Sequence, residues 1–173
     1  VNDRLFKTDR VEKSRNFANK VWNASRFIMM NMTEDFDIPS TGINPQELQL
    51  AIADKWILSK FNRLVKEVTD NMDSFELGIA VQKVYDFIWT EFCDWYIEMA
   101  KPRLYGDDES AKTNVKAILV RVLGDSMKLL HPFMPFITEE LYQSLPNAEE
   151  TIMRASWPKY TNDFQFAEEA EEM

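Results

Sequence analysis

Residues 9–32 read DRVEKSRNFANKVWNASRFIMMNM, and both their apolar and their polar residues recur at helical spacing. At about 100° per residue, one arc of roughly 120° forms the expected core face. That face consists of Ala18, Val21, Trp22, Ser25, Ile28, Met29 and Met32. A second stripe lies nearly opposite and consists of Lys13, Asn16, Lys20, Asn23 and Phe27. The stretch predicts an amphipathic helix whose second face combines a large aromatic ring with ammonium and amide groups.

Apolar residues recur with the same periodicity in three later segments, which predicts three more long helices. Their expected inward positions are Ile57, Phe61, Leu64, Val68 and Met72, then Leu77, Val81, Val84, Ile88, Phe92, Trp95 and Met99, then Val115, Leu119, Val122, Ser126 and Leu129. The expected starts of the first two follow the capping residues Asn44 and Asp73. A shorter helix is expected from Pro135 to Leu145, while strand signals are scarce. We therefore predict an all-α bundle of about five helices, with an extended strap over residues 151–158.

The predicted domain covers residues 1–158, and residues 159–173 form an acidic tail or the start of a linker. The chain has 173 residues, of which 45% are hydrophobic, so it can bury a core. Cys93 is the only cysteine, which excludes an intrachain disulfide and a Cys-rich zinc site. No apolar run approaches the roughly 18 residues of a membrane span. We expect a cytoplasmic protein without a membrane partner.

The charge of the chain is unevenly distributed. The net charge of −9 argues at first against a polyanionic partner. However, residues 1–32 carry seven basic and three acidic groups, a net +4, whereas the rest carry 13 basic and 26 acidic groups, a net −13. The basic region coincides with the first helix, so an RNA partner there remains compatible with the overall acidity.

Phe27 has two interpretations. Its ring is either covered by a neighbouring helix or loop, or it is an exposed platform on which an unstacked RNA base can stack. In the second case the lysines of the stripe would meet phosphates and the asparagines would pair with base edges.

Several stretches carry a family resemblance: RNFANKVWNASRF, ADKWILSKFNRLVKEV, YDFIWTEFCDWYIEMAKPRLYGDD, LLHPFMPFITEELYQSLP and ASWP. Together, from about residue 10 to 158, they closely resemble the anticodon-binding helical domain of bacterial-type valyl-tRNA synthetases. Sister synthetases for isoleucine, leucine, methionine and cysteine have similar bundles, but the DWY…AKPRLYG and RNFANK…WN stretches favour the valyl enzyme. The resemblance implies an ATP-dependent aminoacyl-tRNA ligase as the parent protein. The family's ATP-binding HIGH-type and KMSKS-type motifs are absent from the chain.

The resemblance implies no catalytic residue, cofactor or metal site within this chain, and it assigns ATP and Mg²⁺ to the catalytic domain of the parent polypeptide. The implied partners are the anticodon stem-loop of valine tRNA and that catalytic domain, in a monomeric enzyme. All valine codons begin with GU, so the middle anticodon base must be A and the third must be C. The alternatives are a protein-interaction bundle or the equivalent domain of an isoleucyl enzyme.

The resemblance also assigns roles to single residues. Phe27 is similar to a residue that stacks on an anticodon base, and Lys20 is similar to the neighbouring basic contact. Arg10 stands near the place of an arginine that precedes the helix in the family. Met134, within HPFMPF, matches an apolar residue that packs beside the anticodon. His131 and Cys93 are expected to have structural roles only.

Overall fold

The computed structural model describes residues 8–32, 48–146 and 148–166. The helices are α1 (Thr8–Met30), α2 (Ile52–Asp73), α3 (Leu77–Asp86), a π-helical segment (Phe87–Tyr96), α4 (Ile97–Leu104), α5 (Glu109–Leu130) and α6 (Pro135–Gln143). Because α3, the π segment and α4 follow one another without a break, we call residues 77–104 the third rod. The described residues contain five helical rods and no strand, so the all-α prediction is confirmed.

The third rod is the centre of the bundle. It contacts α1, α2 and α5, and α1 also contacts α5 and α6. Its residues Ile88, Phe92 and Tyr96 are buried. The rod thus packs against neighbours on several sides and keeps one exposed stripe, which includes Asp86 and Asp94.

The predicted start of α2 is wrong in part. The cap expected at Asn44 lies outside the described residues, and the helix that carries Ile57 begins at Ile52. There the Asp54 carboxylate accepts a hydrogen bond from the Ala51 N–H at 2.9 Å, which satisfies a free amide of the first turn.

The predicted start of α3 is also displaced. Asp73 is the last residue of α2 instead of a cap, and Glu76 precedes the first residue of α3. Between them Phe75 has a φ of 59°, a left-handed conformation that non-glycine residues seldom adopt. Three residues, Ser74, Phe75 and Glu76, therefore join the two helices, where a cap at Asp73 would have started α3 at once.

The expected inward residues of α5 are all buried, and those of α2 are buried except Met72, which is partly buried. On α1 the prediction is less accurate, because Trp22 is 45% exposed whereas Phe17, which was not assigned to the core, is 1% exposed. The buried arc of α1 is therefore turned by roughly 50° toward the predicted polar stripe. The cause is the third rod, which contacts α1 on that side.

In the third rod the helical period itself changes. A π-helix closes its hydrogen bonds over five residues instead of four, so each turn contains more residues. The inward position consequently moves from Trp95, which was predicted to be buried and is 59% exposed, to Tyr96, which is fully buried.

A buried ion pair joins α2 to α4. The Asp54 carboxylate is fully buried and accepts two hydrogen bonds of 2.6 Å from Arg103 and one of 2.7 Å from the Tyr96 hydroxyl. Burial lowers the pKa of Arg103, but the hydrogen bonds and the charge of Asp54 raise it more, so its pKa is raised overall. Burial and the adjacent Asp54 also hold the pKa of Tyr96 well above its ordinary value. Arg103 thus ties the AKPRLYG segment to α2, and Pro102 lies inside α4.

The C-terminal segment follows α6 back over the bundle. The predicted strap contains a 3₁₀ turn (Ile152–Arg154), and the Trp157 indole donates to the Thr69 hydroxyl at 3.0 Å. Beyond the predicted boundary at residue 158, Thr161 exchanges two hydrogen bonds with Asn62, of 2.8 and 3.0 Å. Residues 159–166 therefore run along α2, the boundary itself stays a prediction, and residues 167–173 lie outside the described part of the chain.

Candidate nucleic-acid interface

The predicted site lies where α1 meets the third rod. Lys20 contacts Asp94 and Phe27 is approached by Lys101, so both pairs join residues that are 74 positions apart. The two helices therefore run side by side in the same direction. We call the five residues Lys20, Phe27, Trp89, Asp94 and Lys101 the seam. Lys20 and Phe27 are seven residues apart, which is two helical turns or about 10 Å.

At one end of the seam, the Lys20 ammonium is held by two groups of the π segment. Its Nζ lies 2.5 Å from Oδ1 of Asp94 and 3.9 Å from the centre of the Trp89 ring. Trp89 belongs to an aromatic stack in which Phe17 and Tyr85 have ring centres 4.0 Å apart. Because Phe17 is buried, the stack anchors the rings on which Lys20 rests. The Lys20 side chain is 23% exposed and that of Asp94 50%.

At the other end, Phe27 is half-buried and packs against the core. The Lys101 ammonium lies 5.6 Å from its ring centre, within cation–π range, and pairs with Glu98 at 2.6 Å. The Phe27 carbonyl also accepts a hydrogen bond from Asn31 at 2.8 Å. Phe27 is thus partly covered, as the first interpretation of its ring expects, while the remaining part stays accessible for stacking.

The other predicted contacts lie around this seam. Lys13, Asn16 and Asn23 are exposed on α1. The side chain of Arg10 lies outside the described residues. Met134 is partly buried at the start of α6, which packs against α5 and α1.

Helix α6 lies along a different side of α1 from the seam. A groove between α1 and α6 is lined by Ser25 and Met29 of α1 and by Leu141 of α6. At 100° per residue these α1 positions lie roughly opposite Lys20 and Phe27. The structure thus brings Lys20 and Phe27 together on one seam, and α6 lies along another side of α1.

Sequence analysis missed three seam residues, namely Trp89, Asp94 and Lys101. Each lies about 70 residues from its α1 partner. The one local signal that could have indicated Asp94 is its place in the CDWY stretch, where a charged residue lies among aromatic residues on a buried helix.

The residues expected to be structural have structural environments. Burial, opposed in part by Lys20 and assisted by Asp94, raises the pKa of the Cys93 thiol to about 12, so it stays protonated at neutral pH. The His131 ring is hydrogen-bonded to the Thr138 hydroxyl at 2.7 Å. Within residues 8–32, 48–146 and 148–166, no three His, Cys, Asp or Glu side chains converge as metal ligands. In the same residues no helix is long and apolar enough to span a bilayer.

The all-α bundle agrees with the class that the resemblance implies, the helical anticodon-binding domains. The family described as "Anticodon-binding domain of tRNA ligase" matches residues 54–173, and the chain belongs to this family.

Individual relatives extend the match over α1. The chain is 57% identical to a valine--tRNA ligase of Clostridium perfringens over 92% of its own length and 18% of the relative's. It is 49% identical to the valine--tRNA ligase of Clostridium tetani over 99% of its length, and 49% identical to that of Bacillus cereus over 99%, in each case 19% of the relative. The chain therefore spans about a fifth of the length of the curated relatives it matches.

Proposed function

We propose that this chain binds the anticodon stem-loop of valine tRNA as part of a valine--tRNA ligase. The observation that carries the proposal is the seam, because it places the Lys20 ammonium and the Phe27 ring two helical turns apart on one accessible edge. This spacing lets one helix contact two neighbouring bases, one by stacking and one by a hydrogen bond. The valine--tRNA ligase relatives at 49–57% identity support the choice of amino acid.

The contacts divide by chemistry. Phe27 stacks on one of the two discriminating anticodon bases, and Lys20 donates to the RNA beside it. Asn16 and Asn23 pair with base edges, while Lys13 and Arg10 meet the phosphate backbone. Met134 packs beside the loop from the start of α6.

The parent activity is part of the same proposal. The longer protein would join valine to its tRNA with ATP and Mg²⁺ held by a separate catalytic domain, as a cytoplasmic monomer. This chain would contribute selection of the tRNA and no catalytic group.

The test is titration of the chain with anticodon stem-loop RNAs at low salt. One RNA carries the valine bases, A in the middle and C third, and two others change A to G or C to U. The C to U change produces an isoleucine anticodon, so it also tests the alternative of an isoleucyl domain. We expect the valine RNA to bind most tightly. Equal binding of the three RNAs, or no binding, would contradict the proposal and favour a protein-interaction bundle.

A further inference from the structure

The Lys20 ammonium is only partly used by the protein. A lysine ammonium has three N–H donors. One of them is directed to Asp94 at 2.5 Å, and the Trp89 ring at 3.9 Å accepts the charge through its face. At least one donor therefore remains for an RNA acceptor. Since the Lys20 side chain is 23% exposed, that donor is held at the seam and does not move freely in solvent.

Asp94 changes which acceptor this donor can bind. Its carboxylate is half-exposed, so an RNA group that reaches the Lys20 ammonium comes within about 5–6 Å of it, given hydrogen bonds of about 3 Å. A phosphate at that distance is repelled by the carboxylate, and the pair of Lys20 and Asp94 carries no net charge to attract it. An uncharged acceptor, such as a ring nitrogen or a carbonyl oxygen of a base, meets no comparable repulsion.

Lys101 at the other end of the seam has the same arrangement. It pairs with Glu98 at 2.6 Å while it lies near the ring of Phe27. Both lysines of the seam thus have a carboxylate partner, whereas Lys13 lies exposed one turn or more away on α1. Together with Glu98, the seam has two positive and two negative groups and is close to neutral, although the first helix is basic.

We infer that Asp94 is a specificity-determining residue: it cancels the attraction of Lys20 for phosphates, so that Lys20 donates to an uncharged base-edge acceptor. This inference rests on the proposed function. Adenine presents a ring-nitrogen acceptor on its pairing edge where guanine presents an N–H donor, and cytosine differs from uracil in the same way. A lysine donor that is directed to that ring nitrogen therefore discriminates against the change at the one base it contacts, which a lysine on a phosphate cannot do.

The experiment compares Asp94→Asn with Asp86→Asn. Asp86 lies on the same rod and is paired with Gln82 at 2.8 Å, but it faces the groove between α2 and the third rod. Both variants remove one negative charge, so their difference reports the position of the charge. Affinity for the valine stem-loop and for the A to G and C to U stem-loops is measured at several salt concentrations, after circular dichroism has verified folding.

The salt slope is the slope of the logarithm of the binding constant against the logarithm of the salt concentration. With Asp94→Asn we expect it to steepen by about 0.7, the value for one added phosphate contact on a single strand. We also expect one of the two changed RNAs, the one altered at the base that Lys20 contacts, to gain at least threefold more affinity than the valine RNA. Asp86→Asn should leave the salt slope and the ratio of the affinities for valine and changed RNAs as in the wild type. Lys20→Met combined with Asp94→Asn should abolish the steepening of the slope.

The inference is overturned if Asp94→Asn behaves like Asp86→Asn, or if it weakens all RNAs equally with an unchanged slope, which is what a purely structural role gives. In those cases the wild type still distinguishes the three RNAs, so the proposed function stands. Failure of the proposed function is instead visible in the wild type, as a lack of base preference.

Discussion

Two of the ion pairs that connect the third rod to its neighbours have cations of similar exposure, 21% for Arg103 and 23% for Lys20, but their carboxylates differ. The Asp54 carboxylate is fully buried and is saturated by hydrogen bonds from Arg103, Tyr96 and Ala51. The pair of Lys20 and Asp94 is partly exposed and leaves an ammonium donor unused. The ion pair of Asp54 and Arg103 therefore holds α2 and α4 together, whereas the ion pair of Lys20 and Asp94 sets the charge of the proposed binding surface.

The largest expected effect breaks the buried pair. Asp54→Asn places an amide donor among the donors of Arg103, Tyr96 and Ala51 and leaves the guanidinium without its counter-charge. We expect the free energy of unfolding in urea to fall by about 3–5 kcal/mol, the usual cost of removing one partner of a buried pair. Asp94→Asn is the matched control and should cost less than about 1 kcal/mol. Equal losses in the two variants would remove the distinction between the pairs.

The second prediction concerns the aromatic end of the seam. Phe27→Leu keeps an apolar side chain against the core but removes the ring. We expect the valine stem-loop to bind about 1–3 kcal/mol more weakly, with unfolding nearly unchanged. Trp22→Leu is the control, since it removes an exposed ring from the α6 side of the same helix. If the control weakens binding as much, the RNA does not bind along the seam.

The third prediction separates two lysines of α1. Lys20→Met keeps the aliphatic stem over Trp89 and removes the charge. It should weaken valine stem-loop binding by about 1.5–3 kcal/mol, typical of a hydrogen bond from a charged donor, with an unchanged salt slope. Lys13→Met should instead make the slope shallower by about 0.7. A shallower slope for Lys20→Met would place Lys20 on a phosphate.

A third carboxylate, that of the partly buried Glu139, gives the smallest effect. Partial desolvation would raise the pKa of Glu139, but hydrogen bonds from Thr151, Gln143 and the Ile152 N–H lower it overall. Because the folded pKa is lowered, the stabilisation is complete above the ordinary value of about 4.3 and is lost as the pH falls through the folded value. We expect the wild type to lose stability over this acid range more steeply than Glu139→Gln. Parallel pH profiles would show that Glu139 does not hold the C-terminal strap in place.

Local periodicity was sufficient to predict the five rods and the buried faces of α2 and α5, because each of these helices presents one apolar stripe to the core. It was insufficient for α1, because the third rod covers a side of this helix that the helical periodicity of α1 alone assigned to solvent. Phe17 and Trp22 exchange their expected environments for this reason. The prediction of Lys20 and Phe27 as neighbours on one edge needed only helical spacing. Their partners Asp94 and Lys101 required the packing of two helices distant in sequence.

The π segment has a consequence for insertions and deletions. It precedes Arg103 and Lys101 and contains Trp89 and Asp94, so it sets the rotational phase between the residues that hold Lys20 and those that hold Asp54. Loss of one residue there would turn everything downstream by about 100° relative to everything upstream. The rod could then keep its partners on α1 or on α2, but not both. Length within residues 87–96 is therefore constrained more strictly than the identity of any exposed residue in them.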